Sequence, residues 1–241
     1  VDMIKLNKLS KKYNLKVIED CAEQIGQNLN NKKIGSYGDI SCFSFYSNKN
    51  ITTGEGGMIL TDDISLYKYC KKEKNLGFSF DSNKRFIHDT LGYNYRMTNM
   101  QAAVGLAQLE KIEDLIQKRK KIGRYYSEGL KNYNQLLYYP PDSYNNMENI
   151  YWVFALRFSK RVNLNYKNVS EKLIKKGIET RPFFLPIHKQ PIFSGEFGSD
   201  VDYPNSNDLY SKGIYLPCGN GITLSEAKIV LRELKAILNG I

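Results

Sequence analysis

The sequence predicts an α/β fold in which a larger, sheet-containing domain precedes a smaller α+β domain. Three patterns indicate this: a helix followed by a strand at residues 1–20, two β-rich runs around a glycine-rich loop at 40–60, and a long helical pattern that ends before Pro140. A chain of 241 residues can bury one full-sized core and a second, smaller one. We expect the larger domain at 1–125 and the smaller one at 126–241.

The first domain begins with apolar residues at helical spacing, which predict a helix over 1–13 that ends at Asn14. The apolar run 15–18 predicts a short strand ending at the acidic pair Glu19-Asp20. Residues 40–46 and 58–60 are rich in β-formers and predict two further strands, with a polar, glycine-rich loop between them.

The next segments are helical. Asp62 or Asp63 suits the N-cap of a helix that runs to Lys74. Apolar spacing from Thr98 toward Leu130 predicts one long helix that joins the two domains. Beyond Pro141, the sequence predicts β-rich segments at 150–158 and 177–184 and helices near 169–176 and 225–238.

Composition excludes several function classes. The formal charge is 35 − 25 = +10, but the basic residues are dispersed over predicted helix faces, so we expect no nucleic-acid partner and at most attraction of an anionic small substrate. Four cysteines without a C-x-x-C pair favour free thiols in a reducing, cytoplasmic compartment. With two distant histidines we expect no metal site, and no apolar run predicts a membrane span.

Two segments carry residues suited to catalysis. Asp20 follows a predicted strand, where a carboxylate can hold a protonated ring nitrogen, although an acidic pair is more often a helix cap or surface charge. Lys49 lies in a loop of aromatic residues, hydroxyls and glycines that could desolvate its amine and make it a nucleophile. An isolated loop lysine is more often an ordinary surface residue. Gly54, Gly56 and Gly57 suit the tight turn that positions it.

These segments resemble the DegT/DnrJ/StrS family of pyridoxal phosphate (PLP) dependent sugar aminotransferases. The resemblance runs through EDCAEQIG at 19–26, IGSYGDISCFSFYSNKNITTGEGGMILTDD at 34–63, HDTLGYNYRMTN at 88–99, QAAVGLAQLEKI at 101–112 and RPFFLPIH at 181–188. It implies the fold type I of PLP-dependent transferases, with a mixed sheet in part of the large domain and a small α+β C-terminal domain.

The resemblance also implies roles for single residues. Lys49 would bond covalently to PLP and shuttle the proton, and Asp20 would pair with the pyridinium nitrogen. Glu23 would lie near the phenolic oxygen, and Ser44 would donate to the phosphate. Asn94 would reach the phosphate of a neighbouring subunit, which implies a homodimer with shared active sites. A loop or helix-cap role for Asn94 stays open.

The substrate is implied less sharply. His88, Arg181 and His188 lie in segments that the family places near a sugar nucleotide, although both histidines suit structural roles equally well. Within the family the motifs most resemble GDP-perosamine synthases, which implies amino transfer from glutamate to C4 of GDP-4-keto-6-deoxy-mannose for O-antigen polysaccharide. Enzymes acting on UDP- and dTDP-linked sugars carry similar motifs, so the base and the sugar stay open.

Two alternatives also stay open. The family's chains begin well before the position of Val1, so this chain lacks their N-terminal part and could be a catalytically silent fragment or a partner-dependent subunit. We expect such a chain to bind PLP poorly and to associate. Dehydratase relatives replace the lysine, commonly with histidine, whereas Lys49 is present here.

Overall fold

A computed structural model describes residues 1–84, 86–88 and 90–240. Its seven helices of nine or more residues are α1 Met3–Tyr13, α2 Ile64–Glu73, α3 Asn99–Leu109, α4 Ile112–Leu130, α5 Tyr166–Ile174, α6 Pro204–Lys212 and α7 Leu224–Asn239. Its strands are β1 Ile18–Asp20, β2 Asn28–Leu29, β3 Lys32–Lys33, β4 Ile40–Ser44, β5 Gly57–Leu60, β6 Leu137–Tyr138, β7 Ser143–Tyr144, β8 Met147–Glu148, β9 Phe154–Phe158, β10 Arg181–Pro182 and β11 Gly213–Leu216.

The chain divides into two compact units, Val1–Ile116 and Gln117–Ile241. The boundary lies within α4, and the boundary expected after residue 125 lies further along the same helix. The expected domain limits therefore stay a prediction.

The first unit is built around a three-stranded mixed sheet of order β1-β4-β5. Strand β1 runs parallel to β4, with Asp20 opposite Cys42, and β5 runs antiparallel to β4, with Gly57 opposite Ser44. A parallel pair presents the carboxyl ends of both strands at one edge. The sheet therefore brings the end of β1 beside the end of β4.

The helices of the first unit begin where the sequence supplies capping side chains. Asp2 accepts from the Lys5 amide at the start of α1, and Asp63 accepts from the first turn of α2. Thr98 and Gln101 form a capping box at α3. Asn14 ends α1 in the left-handed conformation that asparagine tolerates.

The second unit contains an antiparallel sheet of order β10-β11-β9-β6 and a continuous apolar core. Strand β9 buries alternate residues, Phe154, Leu156 and Phe158, as expected for a sheet covered on one face. The helices α4, α5 and α7 contribute the buried side chains Tyr126, Leu130, Val169, Leu173, Ala227, Leu231 and Leu234.

Several predicted elements differ from those observed. The expected helix from Thr98 to Leu130 is two helices, because a short-range bond from the Lys111 amide to the Gln108 carbonyl interrupts the ladder. The strand expected at 15–18 begins at Ile18 instead, since the Leu15 amide still bonds to Ser10 of α1. The β-rich segment expected at 177–184 contributes only the two residues of β10.

Other elements had no prediction. They include the hairpins β2-β3 and β7-β8, helix α6 and the strands β6 and β11. The two-residue strands are too short for an alternating pattern to be visible. Within the described part of the chain, no helix is both long enough and apolar enough to cross a membrane.

Candidate active site

The carboxyl edge of the β1–β4 pair carries four of the predicted site residues. Asp20 is the last residue of β1, and Ser44 is the last residue of β4. Glu23 and Lys49 lie in the loops that follow these two strands. The fold thus gathers an exposed carboxylate, a hydroxyl, a second carboxylate and an amine along one sheet edge, where α/β folds place their ligands.

Lys49 lies on a loop whose two ends are tied together. The Phe45 amide donates to the Gly56 carbonyl at 2.9 Å, and the Thr53 amide donates to the Phe45 carbonyl at 3.0 Å. Ile51 is 3% exposed and faces the interior. We call residues 45–56 the lysine loop. Its closure fixes the backbone that carries Lys49.

Glycines permit this closure. Gly54 and Gly56 have φ angles of +80° and +148°, which residues other than glycine rarely adopt. A Cβ atom on Gly56 would meet Thr53 Oγ1 at 2.5 Å, so the space is also restricted. Gly54 and Gly56 thus form the expected turn after the lysine, whereas Gly57, also expected in the turn, is the first residue of β5.

The Lys49 side chain is only 12% exposed, and its Nζ lies 3.4 Å from Glu23 Oε1. A charge pair in this half-buried setting restricts where the amine points. Asn50, the next residue, donates from Nδ2 to the Ile25 carbonyl at 2.8 Å. The loop after β1 and the lysine loop are therefore connected both at Lys49 and at Asn50.

Helix α3 supports the lysine loop from another side. Gln108 accepts from the Thr52 amide at 3.1 Å and donates to the Thr52 carbonyl at 2.6 Å. Gln101 donates to the Glu55 carbonyl at 3.2 Å. Neither glutamine was singled out from the sequence, although a separation of seven residues places both on one face of a helix.

Asp20 and Ser44 have local hydrogen bonds. Asp20 Oδ1 accepts from the Ala22 amide at 3.1 Å, and Ser44 Oγ accepts from the Tyr46 amide at 3.3 Å. Next to Asp20, burial and the neighbouring carboxylates Glu19 and Asp20 raise the pKa of the Cys21 thiol to about 12. Cys21 is therefore a neutral thiol at pH 7.

Asn94 and His88 lie elsewhere in the first unit, on the segment that packs against the end of α2. Asn94 is exposed, pairs with Asn75 in a β-bridge, and accepts from Arg96 Nε at 2.9 Å. His88 Nδ1 lies 2.6 Å from the Leu76 carbonyl, and its ring lies 4.6 Å from that of Phe78.

Arg181 and His188 belong to the second unit. The Arg181 side chain is 77% exposed, and its nearest acidic partner is Glu179 at 3.6 Å. The His188 side chain is 5% exposed; its Nε2 lies 3.1 Å from Asp200 Oδ1, and its ring stacks on Tyr203 at 4.5 Å. The side-chain hydrogen bond from Lys189, and to a smaller extent the one with His188, lowers the pKa of Asp200 below its usual value. The substrate roles of both residues stay predictions.

No group of three or more histidine, cysteine or acidic side chains among the described residues is placed to hold a metal ion.

The curated relatives of this chain include GDP-perosamine synthases. The chain is 41% identical over 216 residues to the GDP-perosamine synthase of Escherichia coli O157:H7. The aligned region covers 90% of this chain and 56% of that protein. The chain is 34% identical over 238 residues to the GDP-perosamine synthase of Vibrio cholerae, with 99% and 63% covered. The chain thus spans about three fifths of the length of these relatives.

Solved structures show the same architecture. The aminotransferase PseC of Helicobacter pylori, involved in the biosynthesis of pseudoaminic acid, superposes with a TM-score of 0.91 at 25% identity over all of this chain and 64% of that one. DesV of S. venezuelae superposes with a TM-score of 0.86 at 26% identity, over 98% of this chain and 61% of that one. The architecture is accordingly the fold type I of PLP-dependent transferases, as expected from the sequence. The sequence model of the DegT/DnrJ/EryC1/StrS aminotransferase family matches residues 1–235, and the chain belongs to this family.

Proposed function

We propose that this chain carries the lysine-bearing half of a PLP-dependent aminotransferase that moves an amino group from glutamate to C4 of a nucleotide-linked 4-keto-6-deoxy sugar. The observation that supports the proposal most strongly is the half-buried Lys49 amine, 3.4 Å from Glu23, at the sheet edge that also carries Asp20. Family membership supplies the reaction class, and the similarity to two GDP-perosamine synthases favours a GDP-linked sugar.

The groups at this edge match the chemical features of PLP. The cofactor has a basic ring nitrogen, a phosphate and an aldehyde, and the edge offers a carboxylate in Asp20, a hydroxyl in Ser44 and an amine in Lys49. When bound, PLP supplies an electron-withdrawing ring that accepts the electron pair released at the amino-donor carbon. The residues of this chain bind the cofactor, orient it and transfer protons.

Each residue has a role that follows from its functional group. Asp20 would hold a proton on the ring nitrogen, since a carboxylate stabilises the cation beside it. The neutral amine of Lys49 would take a proton from the amino-donor carbon and return it to the cofactor. Glu23 would orient Lys49 Nζ through the contact at 3.4 Å, and Ser44 would donate its hydroxyl hydrogen to a phosphate oxygen.

The cycle has two halves that use the same residues. In the first half, glutamate would pass its amino group to the bound cofactor and leave as 2-oxoglutarate, with one water taken up. In the second half, the ketosugar would receive that group at C4, with one water released. We assign Asn94 to the phosphate of a neighbouring subunit, and His88, Arg181 and His188 to the sugar nucleotide. The exposed positions of Asn94 and Arg181 support these assignments, because each side chain is accessible to a ligand.

The proposal predicts a spectroscopic difference between the wild type and Lys49→Ala. With added PLP, the wild type should develop a visible absorption band that glutamate bleaches, because Lys49 supplies an amine at this edge. Lys49→Ala should show only the spectrum of free PLP. The measurement is an absorption titration of both purified proteins, with Lys68→Ala, an exposed lysine of α2, as the control. An equal band in Lys49→Ala would contradict the assignment of the lysine.

The alternative of a catalytically silent subunit predicts a different result, namely no band in either protein. The presence of Asp20, Glu23 and Lys49 at one edge, in contact where the proposal requires it, favours the catalytic function.

A further inference from the structure

Gln108 forms a two-point contact with a single residue of the lysine loop. Its amide oxygen accepts from the Thr52 N–H at 3.1 Å, and its amide nitrogen donates to the Thr52 carbonyl at 2.6 Å. A primary amide is the side chain suited to this contact, since it carries a donor and an acceptor side by side. The same nitrogen also donates to the Val104 carbonyl at 3.1 Å, which fixes the side chain to its own helix.

Thr52 is the residue on which the loop closes. Its hydroxyl donates to the Phe45 carbonyl at 2.9 Å and accepts from the Gly54 amide at 2.9 Å. Lys49 is three residues before it, and the Lys49 amide is bound to the Tyr46 carbonyl at 3.0 Å. The backbone of Lys49 is thus held between a turn at Tyr46 and the closure at Thr52.

The helix that carries Gln108 is a rigid support at this point. A Cβ atom on Gly105 would meet Thr53 Cγ2 at 2.9 Å, so α3 and the loop approach closely. The face that makes these contacts includes Gln101, which binds Glu55 beyond Thr52. The part of the loop that follows Lys49 therefore lies along α3.

We propose that Gln108 is a positioning residue for Lys49: its amide fixes the Thr52 peptide to α3 and thereby sets where the lysine amine meets the cofactor aldehyde. This inference rests on the proposed function, because it requires Lys49 to bond to PLP. Small displacements of a reacting group reduce reactivity strongly, so losing the contact should cost selectivity for Lys49 over other lysines.

Reductive labelling with PLP tests the role without an activity assay. A lysine amine condenses with the aldehyde with loss of one water, borohydride adds hydride to the resulting carbon–nitrogen double bond, and peptide mass spectrometry gives the labelled fraction at each lysine. In the wild type we expect label concentrated on Lys49. In Gln108→Leu we expect at least about a five-fold fall of that fraction.

Two further variants separate positioning from general stability. Ala103→Gly weakens α3 at an exposed position and should label like the wild type. Gln108→Glu keeps the acceptor for the Thr52 amide but loses the donor, so it should fall between wild type and Gln108→Leu. Gln108→Glu still tests the role of Gln108 if Gln108→Leu does not fold. Hydrogen exchange at the Thr52 amide should be about tenfold faster in Gln108→Leu and unchanged in Ala103→Gly.

The outcomes distinguish this inference from the proposed function. Preferential labelling of Lys49 in the wild type and in both Gln108 variants alike would overturn the role of Gln108 and leave the proposed function in place. Equal labelling of Lys49 and surface lysines in the wild type would overturn both.

Discussion

Glu19 and Asp20 are neighbours in β1 whose side chains point to opposite faces of the strand. Asp20 is exposed at the candidate site, whereas Glu19 is 5% exposed and accepts from three backbone amides. These are Gly35 at 3.0 Å, Tyr37 at 2.5 Å and Gly38 at 2.6 Å. The two residues are adjacent in the sequence, and the alternation of the strand buries the carboxylate of Glu19 and leaves that of Asp20 exposed at the candidate site.

Glu19→Gln should lower the free energy of unfolding by about 2 kcal/mol, because an amide nitrogen would face a backbone donor and an anionic acceptor would be lost. Urea denaturation at pH 7 measures the change, and Glu110→Gln, an exposed residue at the end of α3, serves as the control. A change below about 0.5 kcal/mol, the range of ordinary surface substitutions, would show that the three contacts contribute little.

The candidate roles of Lys49 and Asp20 came from the resemblance to a family, because a loop lysine or an acidic pair by itself is more often a surface residue. These roles stay predictions. The contacts of Gln108 were not predicted, because a glutamine on a helix has no chemistry of its own. Its partner, the Thr52 peptide, is 56 positions away in the sequence.

At the scale of elements, local signals located the starts of helices well. The helix expected to begin at Asp62 or Asp63 has Asp63 as its N-cap, and Asn14 ends α1 as expected. The break between α3 and α4 was missed because neither proline nor glycine occurs at positions 110 and 111, so the apolar spacing continues across it. The break lies in the backbone hydrogen bonding between α3 and α4, and the spacing of apolar residues does not reveal it.

Helix α7 illustrates how a cap supports packing. Thr223 accepts from the Glu226 amide at 3.2 Å and donates to Glu226 Oε2 at 2.7 Å. The side-chain bond from Thr223, followed by its backbone amide, lowers the pKa of Glu226 below its ordinary 4.5. Because the folded-state pKa is the lower one, this contribution to stability is present above pH 4.5 and is lost as the pH falls through the folded-state value.

Thr223→Ala should therefore reduce the free energy of unfolding at pH 7 by about 1 kcal/mol, the usual effect of removing a cap. The difference from the wild type should shrink as the pH falls below 4.5, because protonation of Glu226 removes the anionic acceptor in both proteins. Urea denaturation over a series of pH values from 7 downward measures this, with Ser206→Ala, an exposed residue of α6, as the control. A difference that is independent of pH would exclude Glu226 from the effect.

At the scale of the whole molecule, the formal charge of +10 is consistent with an anionic nucleotide-linked substrate, because dispersed positive charge raises the local concentration of anions. The buried core is concentrated in the second unit, and the first unit leaves apolar side chains of β5 and α3 about half exposed, such as Met58, Ile59 and Val104. Such surfaces are typical of protein interfaces. They support the proposed association of subunits without identifying the partner.

The proposed sharing of active sites predicts that two inactive variants complement each other. If Asn94 serves the neighbouring subunit's site, a mixed dimer of Lys49→Ala and Asn94→Ala contains one site with both residues intact. Random pairing makes half of the dimers mixed, so co-expression should restore about a quarter of the wild-type sites.

Co-expression of Lys49→Ala with Asp20→Ala is the matched control, because both residues belong to the same subunit's site and no pairing of these two variants restores an intact site. The measurement is the glutamate-bleachable PLP band per subunit. Equal failure of both pairs, with dimers present by light scattering, would place Asn94 in its own subunit's site or outside any site.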